Sequence, residues 1–181
     1  MKEITFLRVT SPSAPNYQAA QALYHAAFPV HERRSEEAHR ATLTDDAFFA
    51  YTIYIGGQFA GILYFWRWAN YSYLEHLATV PELRGQNIGG QALEQWKNNE
   101  NGRTLMLEIE PPLDEITHRR EGFYLRHAMQ INTHKHLHPS YSPLTVTHEL
   151  RVMSFPQLLT DEQFVDFRNY LLNHILGAAE N

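Results

Sequence analysis

The sequence predicts a mixed α/β chain in which a mixed, mostly antiparallel sheet is flanked by helices. Residues 47–55 and 58–68 are rich in aromatic and β-branched side chains and flank Gly56-Gly57, a pair suited to a tight antiparallel hairpin. Residues 71–110 then alternate strand, helix and strand signals, which calls for helices packed against the sheet. Apolar stripes at helical spacing near both ends of the chain supply further cover.

Taken in order, Glu3 to Val9 alternates as a strand does, and Asn16 to Phe28 places Ala20, Leu23, Tyr24 and Ala27 on one helical face. Pro29 ends that helix. Beyond the polar loop Pro29–Arg34, Ser35 followed by Glu36 and Glu37 reads as an N-cap with acids in the first turn of a helix reaching about Thr44. The hairpin follows, then a strand from Tyr71 to Val80 and a helix from Ile88 to Asn99 with Ile88, Ala92 and Trp96 spaced four apart. Arg103 to Glu110 is a strand closed by Pro111-Pro112. Asp114 caps a helix to about His127, and a strand is expected around Met129 to His134, followed by a loop bracketed by Pro139 and Pro143. From Leu144 to Val152 the pattern alternates, with Leu144, Val146, His148, Leu150 and Val152 on one side. Thr160 and Gln163 form a capping box for a last helix, about residues 160–176, whose Phe164, Phe167, Leu171 and Ile175 make an apolar stripe. No repeat or linker interrupts this order, so one domain across residues 1–181 is expected, with the last helix as an addition.

Composition narrows the function classes. At 181 residues the chain is long enough to build one core without metal or disulfide staples. Hydrophobic residues at 44% and charged residues at 19% indicate a folded chain. The absence of cysteine excludes disulfides, thiolate metal ligands and a cysteine nucleophile. A net charge of -5, with basic residues scattered apart from Arg33-Arg34 and Arg119-Arg120, argues against nucleic acid and suits a small cationic acceptor. Residues 1–15 lack the apolar core of a signal peptide, and no window approaches the roughly 20 apolar residues of a membrane span. A cytoplasmic protein with no membrane partner is the expectation.

The chemistry concentrates between Tyr73 and Trp96, where a strand enters a glycine-rich turn that opens a helix. Amides at a helix N-terminus carry roughly half a positive charge between them and bind anions, so a pyrophosphate can sit there without a lysine. Gly85, Gly89 and Gly90 let the backbone come close, Asn87 tolerates positive φ, and Arg84 adds a permanent forked cation. The familiar alternatives are missing: there is no GxxxxGK[ST], no GxGxxG after an early strand, no GxSxG and no HExxH.

In this segment the chain resembles the GNAT superfamily of N-acyltransferases, whose signature Q/R-x-x-G-x-G/A reads here Arg84-Gly85-Gln86-Asn87-Ile88-Gly89. Asn87 stands in place of the middle glycine. Glu115 to Met129 resembles the second family motif, with Phe123-Tyr124 near the end of its helix and Ala128-Met129 where many members have Gly-Phe, a difference expected to affect packing. The element order matches the GNAT fold from Glu3 to about Met153. The resemblance implies acetyl-CoA as co-substrate, its pyrophosphate held by Arg84, Gly85, Gln86, Asn87, Ile88, Gly89 and Gly90, and its pantetheine along Leu77, Ala78, Thr79 and Val80. It also implies Glu75 as the base that takes the amine proton, directly or through water, and Tyr124 as the acid beside the sulfur. A backbone amide near Leu77 or Ala78 would hold the oxyanion. On a regular strand His76 points to the face opposite Glu75 and packs.

The acceptor pocket, by the same resemblance, draws on the loop Pro29–Arg34, strand ends near Glu108 and Glu110, and the loop Pro139–Pro143. Glu32 and Glu108 are the candidates to hold an acceptor ammonium, while Arg119 and Arg120 are candidates for the CoA phosphates. His134, His136 and His138 alternate as zinc ligands on a strand can, but no carboxylate adjoins them in sequence and no metal is expected. The implied activity is acetyl transfer to a small-molecule or peptide amine by a monomer or homodimer. The alternative is a catalytically silent acyl-CoA-binding or regulatory module.

Overall fold

In the computed structural model, which describes residues 3–141 and 147–177, local signals set most of the element boundaries. The order is β1 (Ile4–Val9), α1 (Tyr17–Ala27), α2 (Glu36–Thr42), β2 (Phe48–Ile55), β3 (Gln58–Trp68), β4 (Tyr71–Thr79), α3 (Ile88–Asn99), β5 (Thr104–Ile109), α4 (Glu115–Arg126), β6 (Gln130–Ile131), β7 (His136–Pro139), β8 (Thr147–Phe155) and α5 (Asp161–Tyr170). The chain divides into two compact units: Met1–Pro29 with Thr42–Arg103, and Val30–Ala41 with Thr104–Asn181.

The first unit is built on the antiparallel ladder β1-β2-β3-β4. Gly56 and Gly57 take φ of 58° and 80°, the left-handed pair that lets a two-residue turn match strand twist. β3 is buried along most of its length, with Ile62, Leu63, Tyr64, Phe65 and Trp66 all 2% exposed or less. A strand covered on both faces reads as a continuous apolar run rather than an alternating one. Trp96 of α3 packs against Phe65, and Tyr24 of α1 against Tyr64, with ring centroids 6.0 and 5.7 Å apart. Gly61 is required by close approach: a Cβ there would collide with the carbonyl oxygen of Ala78 on β4 and sit 3.2 Å from Ile53 Cδ1.

β4 departs from regularity at one place. Phe65 faces Leu74 and Tyr64 faces His76, so Glu75 has no partner across the ladder and forms a β-bulge. Bulges re-aim side chains, and this one sets the geometry of the site.

In the second unit β8 pairs antiparallel with β5, β6 and β7. Ser35 caps α2 through the Ala38 amide at 3.2 Å. Asp114 and Thr117 form a capping box for α4, as Thr160 and Gln163 do for α5. The bonds from Thr117 hold the Asp114 carboxyl below the usual range. α4 ends with Ala128 at φ 62° and with the Met129 amide donating to the Tyr124 carbonyl at 3.1 Å. That is the Schellman ending, which favours glycine in the left-handed position. The Ala128 substitution therefore bears on the backbone as well as on packing.

Two strand expectations are corrected. The strand expected around Met129 to His134 stops at Ile131; at Asn132 the amide still donates to the Val152 carbonyl at 2.9 Å, while the side chain donates to Ser154 Oγ at 2.9 Å and accepts from the Leu159 amide at 2.8 Å. The stretch His136–Pro139, read as the approach to a loop, is a strand, β7. The start of the expected strand, Leu144 to Val146, and Pro143 of the preceding loop fall outside the described residues. The last helix ends in a wider π-type turn over Leu171–Ile175, whose Ile175 carbonyl accepts from buried Arg34 at 3.1 Å. No helix among the described residues is long and apolar enough to cross a membrane.

Candidate active site

The first unit carries the turn and the strand that feeds it. After β4 a single 3-10 turn, Pro81–Leu83, leads into Arg84–Asn87, all four of which are solvent-exposed. Gly85 has φ 79° and Asn87, the N-cap residue of α3, has φ 57°, ψ 25°. Asparagine thus occupies the left-handed conformation that glycine adopts most readily, one of the few side chains able to do so at small cost. The amides of Ile88, Gly89 and Gly90 open a 12-residue helix and have no acceptor within it. Arg84 has no ion-pair partner among the described residues. The result is an exposed nest of donors beside a fixed cation.

Leu77, Ala78, Thr79 and Val80 are half-buried. The Val80 amide donates to the Ala60 carbonyl at 2.9 Å, and the Ala78 carbonyl lies against Gly61, so the backbone of Val80 and Ala78 is committed to β3. Strand geometry alternates, which turns the main chain of Leu77 and Thr79 away from β3. Of the two amides considered for an oxyanion, Leu77 is the one so turned.

Glu75 has a carboxylate only 1% exposed, although the residue itself is half-buried, because the bulge leaves its main chain partly open. Its Oε2 accepts a hydrogen bond from the indole Nε1 of Trp66 at 3.0 Å. The His76 Nδ1 lies 3.6 Å from the same oxygen. The expectation that His76 faces away from Glu75 assumed a regular strand, and the bulge overturns it. His76 does pack, edge-on against Phe28 and Tyr24 with centroids 4.5 and 4.9 Å away. The bulge is not visible in the sequence. A regular hairpin through Ala69-Asn70 sets Trp66 opposite Tyr73 and already makes Glu75 its diagonal neighbour on the same face; what the bulge changes is the side taken by His76.

The second unit carries Tyr124, Glu32 and Glu108. Tyr124 is half-buried in the last turn of α4, in contact with Phe123 at 5.0 Å, and desolvation pushes its phenol up to about 12, opposed by the nearby Arg120. It remains a proton donor across the physiological range. Glu32 is partly exposed in the short turn Val30–Glu32. The side chain of Glu108 is buried, with His136 Nε2 hydrogen-bonded to Oε1 and His138 Nε2 3.6 Å from Oε2. Sequence reading treated Glu108 and the histidine run separately; the β5-β8-β7 pairing joins them. His134 takes a different partner, Asp161, at 2.9 Å, and stacks on Phe164. Among the described residues no group of three such side chains is placed to hold a metal.

The loops named for the acceptor are tied together within this unit. The His31 carbonyl accepts from the Tyr141 amide and from Ser140 Oγ, both at 3.2 Å, and Arg34 lies over the Tyr141 ring at 5.0 Å. Arg119 pairs with Glu115 and Arg120 with Glu110 on an exposed face.

Comparison with known proteins bears on this arrangement. Residues 15–126 match the model of the acetyltransferase (GNAT) family. A protein from Bacteroides thetaiotaomicron described as a GNAT-family acetyltransferase has 25% identity and a TM-score of 0.89, covering 96% of this chain and 98% of its own. The ribosomal-protein-S18-alanine N-acetyltransferase of Escherichia coli has 18% identity and a TM-score of 0.60, covering 88% and 97%. A GNAT-family acetyltransferase from Elizabethkingia anophelis, solved with acetyl-CoA bound, has 16% identity and a TM-score of 0.56, covering 83% and 96%. The latter two likenesses concern the fold, a mostly antiparallel sheet flanked by helices. Among curated proteins none matches the chain significantly in sequence. With the signature turn at Arg84–Gly89 inside the matched region, the chain belongs to the acetyltransferase (GNAT) family and is an acyltransferase.

Proposed function

We propose that this chain is an acetyl-CoA-dependent N-acetyltransferase that moves an acetyl group to a primary amine of a small molecule, amino acid or peptide by direct attack in a ternary complex. The observation that carries the reading is the exposed turn Arg84–Asn87, whose two left-handed residues lead into the unpaired helix amides of Ile88–Gly90, in a chain of this family. In this reading the turn amides and Arg84 take the pyrophosphate, and the main chain of Leu77 and Thr79 lies along the pantetheine.

Glu75 receives the proton that the acceptor ammonium, with pKa near 10.4 for a lysine-like amine, must lose before attack. Burial of the carboxylate favours transfer through a water over direct contact. The amine nitrogen then bonds to the thioester carbonyl carbon, the Leu77 amide stabilises the oxyanion, and the carbon–sulfur bond breaks. A phenol at about 12 is too weak an acid to give its proton outright to a thiolate of pKa about 8.5, so Tyr124 acts as a hydrogen-bond donor to the departing sulfur while solvent supplies the proton. Glu32 is the more accessible carboxylate for an acceptor cation; Glu108 already faces two histidines. Monomer and homodimer suit this chemistry equally.

The rival reading is a silent CoA-binding module; the left-handed conformation of Asn87, in place of the family's middle glycine, supports an intact turn. Thiol release on mixing acetyl-CoA with a panel of amines tests the reading. Turnover with at least one amine is expected, with Glu75→Gln lowering kcat and moving the pH optimum upward at unchanged CoA affinity. Binding without turnover across a broad panel would reject it.

A further inference from the structure

We propose that Trp66 is the positioning residue for the Glu75 carboxylate: its buried indole N–H fixes one carboxylate oxygen and favours the ionised form that a base must have. The inference rests on the reading of Glu75 as the base. Trp66 lies on β3, is fully buried, and its indole Nε1 donates to Glu75 Oε2 at 3.0 Å; it pairs with Tyr73, which makes Glu75, two residues further along β4, its diagonal neighbour. An indole donates one hydrogen bond and accepts none, so it can stabilise a carboxylate but offers nothing to a carboxylic acid proton. It also cannot titrate, which makes it a constant bias rather than a switch.

A buried carboxylate without such a donor is driven toward its neutral form. Titratable groups around this point include His76 on β4, with Nδ1 3.6 Å from Oε2, and, packed on His76, Tyr24 of α1 and Tyr64 of β3, the latter phenol raised by burial.

The test replaces Trp66 with β-(3-benzothienyl)alanine, which keeps the shape and puts sulfur in place of the N–H, and in parallel uses Trp66→Phe. In the isosteric variant the acid limb of kcat/KM for the acceptor should move to higher pH by about one unit, the order expected for loss of one hydrogen bond to a charged group. KM for acetyl-CoA should stay put, and a Glu75→Gln background should abolish the shift. A folded isosteric variant whose acid limb is unmoved, while Glu75→Gln still removes that limb, overturns the role of Trp66 and leaves the base reading standing. If Glu75→Gln leaves the profile intact, the base reading fails. Carbon-13 titration of the Glu75 carboxyl then decides the electrostatic claim alone, an unchanged midpoint in the isosteric variant refuting it. Should Trp66→Phe fold poorly, the isostere carries the result.

Discussion

Replacing Gly61 by alanine tests whether the close contact between β3 and β4 sets the geometry of the donor strand. The added Cβ would collide with the Ala78 carbonyl oxygen and lie 3.2 Å from Ile53 Cδ1 and 3.3 Å from the Ala78 carbonyl carbon. Two of these three neighbours are backbone, held by the register that pairs Ile62 with Ala78 and Gly61 with Thr79. No rotamer change relieves them, so the strands must part. Overpacking of this kind costs about 1–3 kcal/mol. The glycine's own entropy offsets about 0.4–1 kcal/mol of that, because alanine restricts the unfolded chain. The clash wins by roughly 1–2 kcal/mol, which for a chain of this size lowers Tm by about 2–8 °C. Because Ala78 sits between Leu77 and Thr79, the same displacement should raise KM for acetyl-CoA several-fold while leaving the pH dependence of kcat in place. Differential scanning calorimetry and initial rates measure both. A Tm equal to or above that of the parent would refute the argument, since it would mean the β4 backbone yields freely at Ala78.

Two further outcomes are expected. Asn87→Val forces a β-branched residue into the left-handed region, a cost of about 1–2 kcal/mol. CoA affinity should fall roughly 5- to 30-fold by calorimetry, and an unchanged Kd would show that the turn re-forms without that conformation. Tyr124→Phe should lower kcat about a hundredfold if the phenol supports the leaving sulfur. A raised pKa keeps the phenol protonated at every pH below it, so any alkaline limb between pH 8 and 10 should survive the substitution. Its disappearance would count against the assignment.

What the sequence disclosed was what local chemistry controls. Gly56-Gly57, Asp114 and the Thr160–Gln163 pair act within a few residues, and the structure realises each as a turn or a cap. The helix Ile88–Asn99 begins and ends where its pattern begins and ends, since its apolar face and its Asn87 start are both short-range signals. The bulge at Glu75 is different. It is a matter of register between β3 and β4, and no residue in Tyr71–Val80 announces it. The meeting of Glu108 with His136 and His138 likewise depends on β8 lying beside both β5 and β7, a pairing between residues far apart in the chain. At Asn132 the two-residue strand gives way to a junction in which the main chain still donates to Val152 of β8 while the side chain bonds Ser154 and Leu159.

The family match ends at residue 126, within α4, while the antiparallel neighbour of β5 lies much further on: Leu105 pairs with Phe155, Leu107 with Met153 and Ile109 with Arg151. An expression fragment trimmed to the matched window would strip β5 of that neighbour, leaving the row of amides and carbonyls along Leu105–Ile109 exposed as a template for intermolecular association. Anyone cloning by homology boundary would therefore recover aggregates and mistake a missing strand for an insoluble protein.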